Sequence, residues 1–275
     1  MSERQKFSVL MSLYIKEKPE YARECFESLI NQTVQANEWV IVEDGPLTKE
    51  MYDLLDEYKN KHPGLIKRVA FKHNRGLGLA LRDGVMACTY DLIARMDTDD
   101  VARTDRFEKQ LEQFNNNPEL DICGSHIIEF EGNINNIVAE RRVPTLNEEI
   151  RIYQKRRDAF NHMTVMYKKE CVLNAGNYQD CLLMEDSLLW CNMMKMNAVS
   201  MNINDALVYA RVGNELFNRR GGWQYFLKYK NGRKKILSTG YISRFDYFIT
   251  IVVQFIVAIM PQKLRSFFFI KVLHR

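Results

Sequence analysis

Residues 90–100 read Tyr90-Asp91-Leu92-Ile93-Ala94-Arg95-Met96-Asp97-Thr98-Asp99-Asp100, an apolar run that ends in three acids within four positions. A short apolar run closed by turn-forming residues reads as a buried strand, here residues 92–96. Strand side chains alternate faces, so an extended continuation sends Asp97 and Asp99 to one side and Asp100 to the other. Two carboxylates at that spacing suit a hard divalent cation that keeps positions open for phosphate oxygens. The plain alternative is a solvated strand exit.

Upstream, three similar runs alternate with helical patterns. Residues 7–14 (FSVLMSLY), 39–42 (WVIV) and 66–71 read as strands. Pro19-Glu20 opens a helix to about residue 31, with Tyr21, Cys25, Phe26, Leu29 and Ile30 at helical spacing. Residues 48–62 and 79–88 read as helices, and 74–78 as a loop. Strand and helix thus alternate four times before residue 105, which predicts an α/β fold: a mostly parallel central sheet flanked by helices on both faces. Ligands of such sheets sit beyond the carboxyl ends of the strands. Tyr14, Asp44 and the acids Asp97, Asp99 and Asp100 all fall there.

Downstream, the pattern predicts a helix from Asp105 to about residue 117 and a strand over 121–131, with a turn near Gly132-Asn133. A charged helix over 148–157 and a strand over 163–167 follow. Residues 182–196 read as helical and open on Met184-Glu185-Asp186, and 206–212 form a last strand. A chain of 275 residues with 46% hydrophobic content can bury a real core, as one large domain or two small ones. The cysteines Cys25, Cys88, Cys123, Cys171, Cys181 and Cys191 contain no C-x-x-C pair and read as buried thiols of a reducing compartment. The start, MSERQKF, has no apolar h-region, so no secretory leader is expected.

The net charge of +4 hides an asymmetry. Residues 217–275 hold twelve Lys/Arg against the single acid Asp246, a charge of +11, and the first 216 residues carry −7. A basic, aromatic tail on an acidic body points to an anionic partner, membrane or nucleic acid. Residues 247–260 are apolar and aromatic but short for a membrane span. Residues 261–275 alternate Lys263, Arg265 and Lys271 with Phe267, Phe268, Phe269 and Ile270, the pattern of an interfacial segment. The alternative is a helical hairpin packed on the body.

Other candidates stand beside bland readings. Glu43-Asp44-Gly45 can accept hydrogen bonds from a nucleobase or ribose, or simply form an Asp-Gly turn. The loop His73-Asn74-Arg75-Gly76-Leu77-Gly78 can aim amides at a phosphate, with Arg75 and Arg82 as partners for a diphosphate. Glu185-Asp186 suits a general base, or a dipole partner at a helix start. His162 alone reads more readily as structural.

Taken together, these motifs resemble the inverting family 2 glycosyltransferases of the GT-A fold, in particular the capsule and exopolysaccharide (amylovoran-type) branch. FSVLMSLY resembles their first strand, VEDGP the nucleotide-binding turn and HNRGLGLALRDG the Asn/Gly loop and helix. MDTDD is similar to the D-x-D metal motif and MEDSLLW to the motif carrying the base. The likeness runs in order over residues 7–215. It implies that Asp44 and Asp97 contact the nucleoside, with Ser12, Tyr14, Glu43, Asn74, Gly76 and Arg82 around the donor. It implies Asp99 as the ligand of Mg²⁺ or Mn²⁺ and Asp186 as the base, with Glu185, Asp100, His162 and Arg211 as further candidates. The usual P-T-Y-N is Ser12-Leu13-Tyr14-Ile15 here. The processive synthases' Q-x-x-R-W is absent, which implies one sugar per encounter.

The resulting expectation is a nucleotide-sugar-binding half over 1–105, an acceptor-binding half over 106–215, and a basic helical tail over 216–275 that associates with membrane. The enzyme would move a hexose or N-acetylhexosamine from a nucleotide sugar, UDP-linked, to a lipid-linked or oligosaccharide acceptor. It would sit peripherally on the cytoplasmic face of the cell membrane, with no nucleic-acid partner. The rival readings are a sugar-1-phosphate nucleotidyltransferase, which wants a Gly-rich basic loop after the first strand, and a non-enzymatic nucleotide or nucleic-acid binder.

Overall fold

A computed structural model describes residues 5–213 and 222–260. The first half alternates as β1 (Phe7–Leu13), α1 (Pro19–Ile30), β2 (Glu38–Glu43), α2 (Lys49–Lys61), β3 (Ile66–Ala70), α3 (Leu77–Ala87) and β4 (Leu92–Arg95). The second half holds β5 (Val101–Ala102), α4 (Arg106–Asn116), β6 (Leu120–Glu131), β7 (Ile137–Arg141), α5 (Asn147–Tyr153), a 3-10 turn at His162–Thr164, β8 (Met166–Lys168), α6 (Lys169–Asn174), α7 (Glu185–Lys195) and β9 (Val199–Val212). Two helices follow, α8 (Trp223–Ser238) and α9 (Arg244–Ile259).

All described strands join one sheet, in the order β3-β2-β1-β4-β8-β6-β9-β5, with β7 on β6. The β3-β2-β1-β4 part is parallel, as the alternation requires. The antiparallel β8 then links β4 to β6, and β6 pairs in parallel with β9. Both faces of the parallel part are covered, as burial of such sheets demands. Phe7, Val9, Met11 and Leu13 pack on one face with Phe26, Leu55 and Phe107. Leu10, Val40 and Val42 pack on the other with Ala80, Leu81 and Trp190. Gly84 lets α3 lie close to that second face: a Cβ there would come within 2.4 Å of the Leu10 side chain.

Several boundaries differ from the sequence pattern for local reasons. The helix expected from residue 182 starts at Glu185, because Leu183 adopts φ 73° and breaks the turn before it. The helix expected to run to residue 157 ends at Tyr153. There the buried Gln154 side chain accepts from Ala159 N (2.8 Å) and holds the chain in a turn. The last strand starts at Val199, since pairing with β6 recruits residues 199–205, where Val199, Met201 and Ile203 alternate with polar residues.

The C-terminal part contains the packed hairpin. A Ser243/Asp246 capping box starts α9. Ring contact of Phe226 with Phe255 and the hydrogen bond from Arg233 Nε to Thr250 Oγ1 (3.1 Å) make α8 and α9 antiparallel. Leu188 and Cys191 of α7 share a small core with Ile236 and Ile242. The outer side of α9 stays apolar: Phe245, Phe248, Val252, Phe255, Ile256 and Ile259 are all exposed. Among the described residues, no helix is long and apolar enough to cross a membrane. The interfacial segment expected over 261–275 lies outside the described residues.

Candidate active site

β4 stops at Arg95, so Asp97, Thr98, Asp99 and Asp100 form a turn rather than a strand extension. Asp97 and Asp99 are half-buried and Asp100 is buried. Asp100 Oδ1 accepts from the Arg211 amide of β9 (2.7 Å), while its Oδ2 is buried without a partner among the described residues. Arg211 acts as a clamp on this turn. Its Nε donates to the Asp99 carbonyl (3.0 Å), its Nη1 to the Gly132 carbonyl (2.6 Å), and it pairs with Glu24 while stacking on Tyr21 and Phe130.

Burial, then the charge of Asp97, pushes the Asp99 carboxyl up to about 6. Glu17, in the loop after β1, is pushed up to about 7 by burial, then by Asp99 and Asp97. Three carboxylates therefore share one region beyond the parallel strands. Arg95 answers them from below: its guanidinium is buried and ion-pairs with Asp97. These groups fit a divalent ion of the Mg²⁺ or Mn²⁺ kind, because they are all-oxygen donors and the acids outnumber the cation. Among the described residues no three candidate ligands converge as a ready cage. One or two carboxylates are what such an ion takes when phosphates complete its shell.

The other donor-side candidates are tied to one loop. Asp44 is buried at the end of β2, and its two carboxylate oxygens accept from the amides of Arg75 (2.7 Å) and Gly76 (3.0 Å). Asn74 Nδ2 donates to the Asp44 carbonyl (3.1 Å). Those two amides thus serve Asp44 in this structure. Gly45 must be glycine for the approach, since it has φ 91° and a Cβ would sit 2.7 Å from Asn74 N. Arg75 and Arg82 both pair with Asp83 (2.9 Å each), and Glu43 pairs with Arg68. Ser12 is half-buried on β1, and the Tyr14 carbonyl accepts from Glu17 N (3.0 Å), which shapes the loop carrying Glu17.

Glu185 and Asp186 open α7. Gly78, at the start of α3, lies against them: a Cβ there would be 3.0 Å from the Glu185 Cβ and 2.5 Å from the Gln179 carbonyl. The Glu185 carboxyl is raised by burial and feels Arg95 and Asp97, so the two acidic groups face a common field. Asp186 lines a cavity of about 400 Å³ together with His162, Asp158 and Tyr229. Burial, then Asp158 and Glu185, raises its carboxyl well above the usual range. Its Oδ1 accepts from Ser187 N (2.7 Å), and its Oδ2 is 3.9 Å from His162 Nδ1. His162 is held from behind by Tyr178 Oη (2.9 Å) and kept neutral, chiefly by burial and also by Arg95.

Sequence reasoning passed over Glu17, Arg95, Asp158 and Tyr178. Two of them carry a readable signal. Arg95 is the one charged residue in the apolar run 92–96, and Glu17 is an acid in the loop beyond the first strand. Asp158 and Tyr178 carry none, because only folding brings them to Asp186.

The family model described as Glycosyl transferase family 2 matches residues 8–172. The chain is 37% identical over 268 residues to the amylovoran biosynthesis glycosyltransferase AmsE of Erwinia amylovora, covering 96% of this chain and 98% of that one. It is 34% identical over 270 residues to the UDP-Gal:alpha-D-GlcNAc-diphosphoundecaprenol beta-1,3-galactosyltransferase of Escherichia coli, covering 98% and 97%. Among solved structures, the mannosyltransferase PcManGT from Pyrobaculum calidifontis, in complex with GDP-Man and Mn²⁺, superposes with a TM-score of 0.67 at 13% identity, covering 96% of this chain and 72% of that one. That likeness supports the GT-A fold.

Proposed function

Because the chain belongs to glycosyl transferase family 2, we propose that it is an inverting, metal-dependent, non-processive transferase. It moves a hexose or N-acetylhexosamine from a nucleotide sugar, UDP-linked, to a lipid-linked saccharide in surface polysaccharide synthesis. One observation carries this reading. An acid group suited to a metal-bound diphosphate lies beyond the parallel strands, and a second carboxylate, Asp186, stands in an adjacent cavity. The names of the two relatives support the acceptor and donor classes, and the Mn²⁺ complex of the structural neighbour supports the ion. As a family 2 glycosyltransferase the chain is an enzyme, so the non-enzymatic rival falls away.

Asp99, with Asp97 beside it, would hold the ion, which supplies charge neutralisation for the departing nucleoside diphosphate. Asp44 fixes the loop 74–76 that borders the donor side. Asp186 takes the proton from the acceptor hydroxyl as that oxygen attacks the anomeric carbon from the face opposite the nucleotide, which inverts the configuration. The Ser187 amide holds one Asp186 oxygen, and the other is directed toward His162. His162, neutral and hydrogen-bonded to Tyr178, stands 3.9 Å from that oxygen, beyond hydrogen-bond reach, and walls the carboxylate on that side. The test is a screen of nucleotide sugars by thermal shift with and without Mn²⁺, followed by transfer assays with the ligands that stabilise. A UDP-sugar should raise the melting temperature only with the metal. Stabilisation by none of them would remove the donor assignment.

The enzyme is also proposed to sit peripherally on the cytoplasmic face of the cell membrane. The exposed stripe of α9 is about 24 Å long, from 16 residues at about 1.5 Å each, and the chain around it is basic. Full-length protein should therefore sediment with anionic vesicles, weakly with neutral ones, and salt should release only part of it. Each buried aromatic or aliphatic side chain contributes about 1.5–3 kcal/mol. The double substitution Phe248→Asp with Ile259→Asp should then cut vesicle binding at least about tenfold while UDP affinity stays. Equal sedimentation of the two proteins would leave α9 without this role.

A further inference from the structure

The cavity at Asp186 has donors that its own residues leave unused. Arg141, the last residue of β7, lines it, and its side chain makes no ion pair or hydrogen bond among the described residues. Gln254 of α9 lines it too, and its amide nitrogen is buried without a partner among those residues. Arg156 and Arg157, in the turn after α5, add two more guanidinium groups; Arg156 is anchored to Asp246 of α9 (2.7 Å). Arg141 and Gln254 are half-buried and left unpaired among the described residues, which is costly, so a ligand that offers only acceptors is what completes these two. The exposed Arg156 and Arg157 add positive charge at the rim. Phosphate oxygens are acceptors only, and planar guanidinium forks match them.

The position of the cavity points the same way. Gln254, Thr250 and Asp246 lie on the inward side of α9, and the exposed apolar stripe lies on the outward side. With the stripe at a membrane interface, one helix thickness, about 10 Å, separates the cavity from the lipid. That is headgroup depth. Three acids line the cavity as well, Glu129, Asp158 and Asp186, and they suit the sugar: Asp158 acts electrostatically on Asp186 and Glu185, and carboxylates accept from hydroxyls.

We propose that Arg141, with Arg156, Arg157 and Gln254, holds the diphosphate that joins the acceptor sugar to its lipid. This rests on the reading of the chain as a transferase acting on a lipid-linked saccharide. The residues set how far the sugar reaches: the diphosphate is gripped at the arginines while the terminal hydroxyl meets Asp186. The site therefore selects acceptors that carry a charged link and discriminates against the same sugar on a neutral glycoside.

The probe is citronellyl diphosphate, titrated in neutral detergent against the full chain already saturated with UDP and Mn²⁺, so that the donor side is filled. Binding to the wild type is expected, and Arg141→Gln should weaken it at least about tenfold. Arg142→Gln, at an exposed neighbour paired with Glu140, should leave it unchanged. UDP affinity measured on the same samples reports that each variant is folded. Wild-type and Arg141→Gln proteins with equal affinity, or wild type with none, overturns the inference. Competition by phosphatidylglycerol micelles as strong as by the diphosphate would assign the arginines to bulk headgroups and overturn it as well. Failure of the transferase reading looks different: UDP then fails to bind with Mn²⁺ before any diphosphate is added.

Discussion

Asp186→Asn should lower turnover by about 10²–10⁴-fold, the range for loss of a positioned general base. The substitution keeps shape and the hydrogen bond from Ser187 N, since an amide oxygen also accepts, so folding and UDP binding should hold. The pH profile separates a base from a structural acid. Asp158, Glu185 and His162 face Asp186, and burial with the first two raises its carboxyl. A base works deprotonated, so kcat/KM should fall as pH drops through this raised pKa, above the ordinary carboxylate value of about 4. In Asp186→Asn that acid limb should vanish from the residual rate. Loss of donor affinity together with turnover would instead make Asp186 structural. Full inactivation by Glu185→Gln with Asp186→Asn still active would reverse the two roles.

The second large effect is expected at Asp99. Asp99→Asn should abolish the Mn²⁺-dependent part of UDP binding, a loss of about 100-fold or more, which removes most of the about 2.7 kcal/mol of ligand stabilisation that the wild type gains at 100 times its Kd. The fold should survive. The clamp from Arg211 goes to the Asp99 carbonyl, which the substitution leaves in place, and the charge acting most strongly on the side chain is the like charge of Asp97. Calorimetric titration of UDP with and without Mn²⁺ checks this. Unchanged affinity in the variant would sink the metal assignment. The same titration on Glu17→Gln tells whether the third carboxylate of that region matters to the ion, since it feels both Asp99 and Asp97.

Much of the donor side was legible from residues 7–105. Continuous apolar runs identify strands buried on both faces, and alternation with helices forces parallel pairing, so the acids had to emerge at one edge of the sheet. Asp97, Asp99 and Asp100 do so. Less legible was what each acid does. The Asp44 carboxylate accepts from two loop amides, and Arg75 and Arg82 both turn to Asp83. Short-range pairs of that kind depend on loop geometry that periodicity does not encode.

The acceptor side shows the division most clearly. Local sequence determined the alternating core of the first half, the presence of Glu185-Asp186 at a helix start, and the apolar character of the 247–260 segment, because each depends only on neighbours along the chain. Tertiary structure alone decided that β8 runs antiparallel between β4 and β6, and that His162, Tyr178 and Asp158 meet Asp186. It alone brought Arg141, Arg156 and Gln254 from three separate elements to one cavity. It also turned α9 so that Asp246, Thr250 and Gln254 face inward with Val257 and Ala258 while a long apolar stripe faces out, unlike an ordinary surface helix. The physical reason is the same throughout. Propensity and periodicity act over a few residues, whereas a site is a set of contacts between residues 16 to 111 positions apart, and their register is set by how the whole sheet closes.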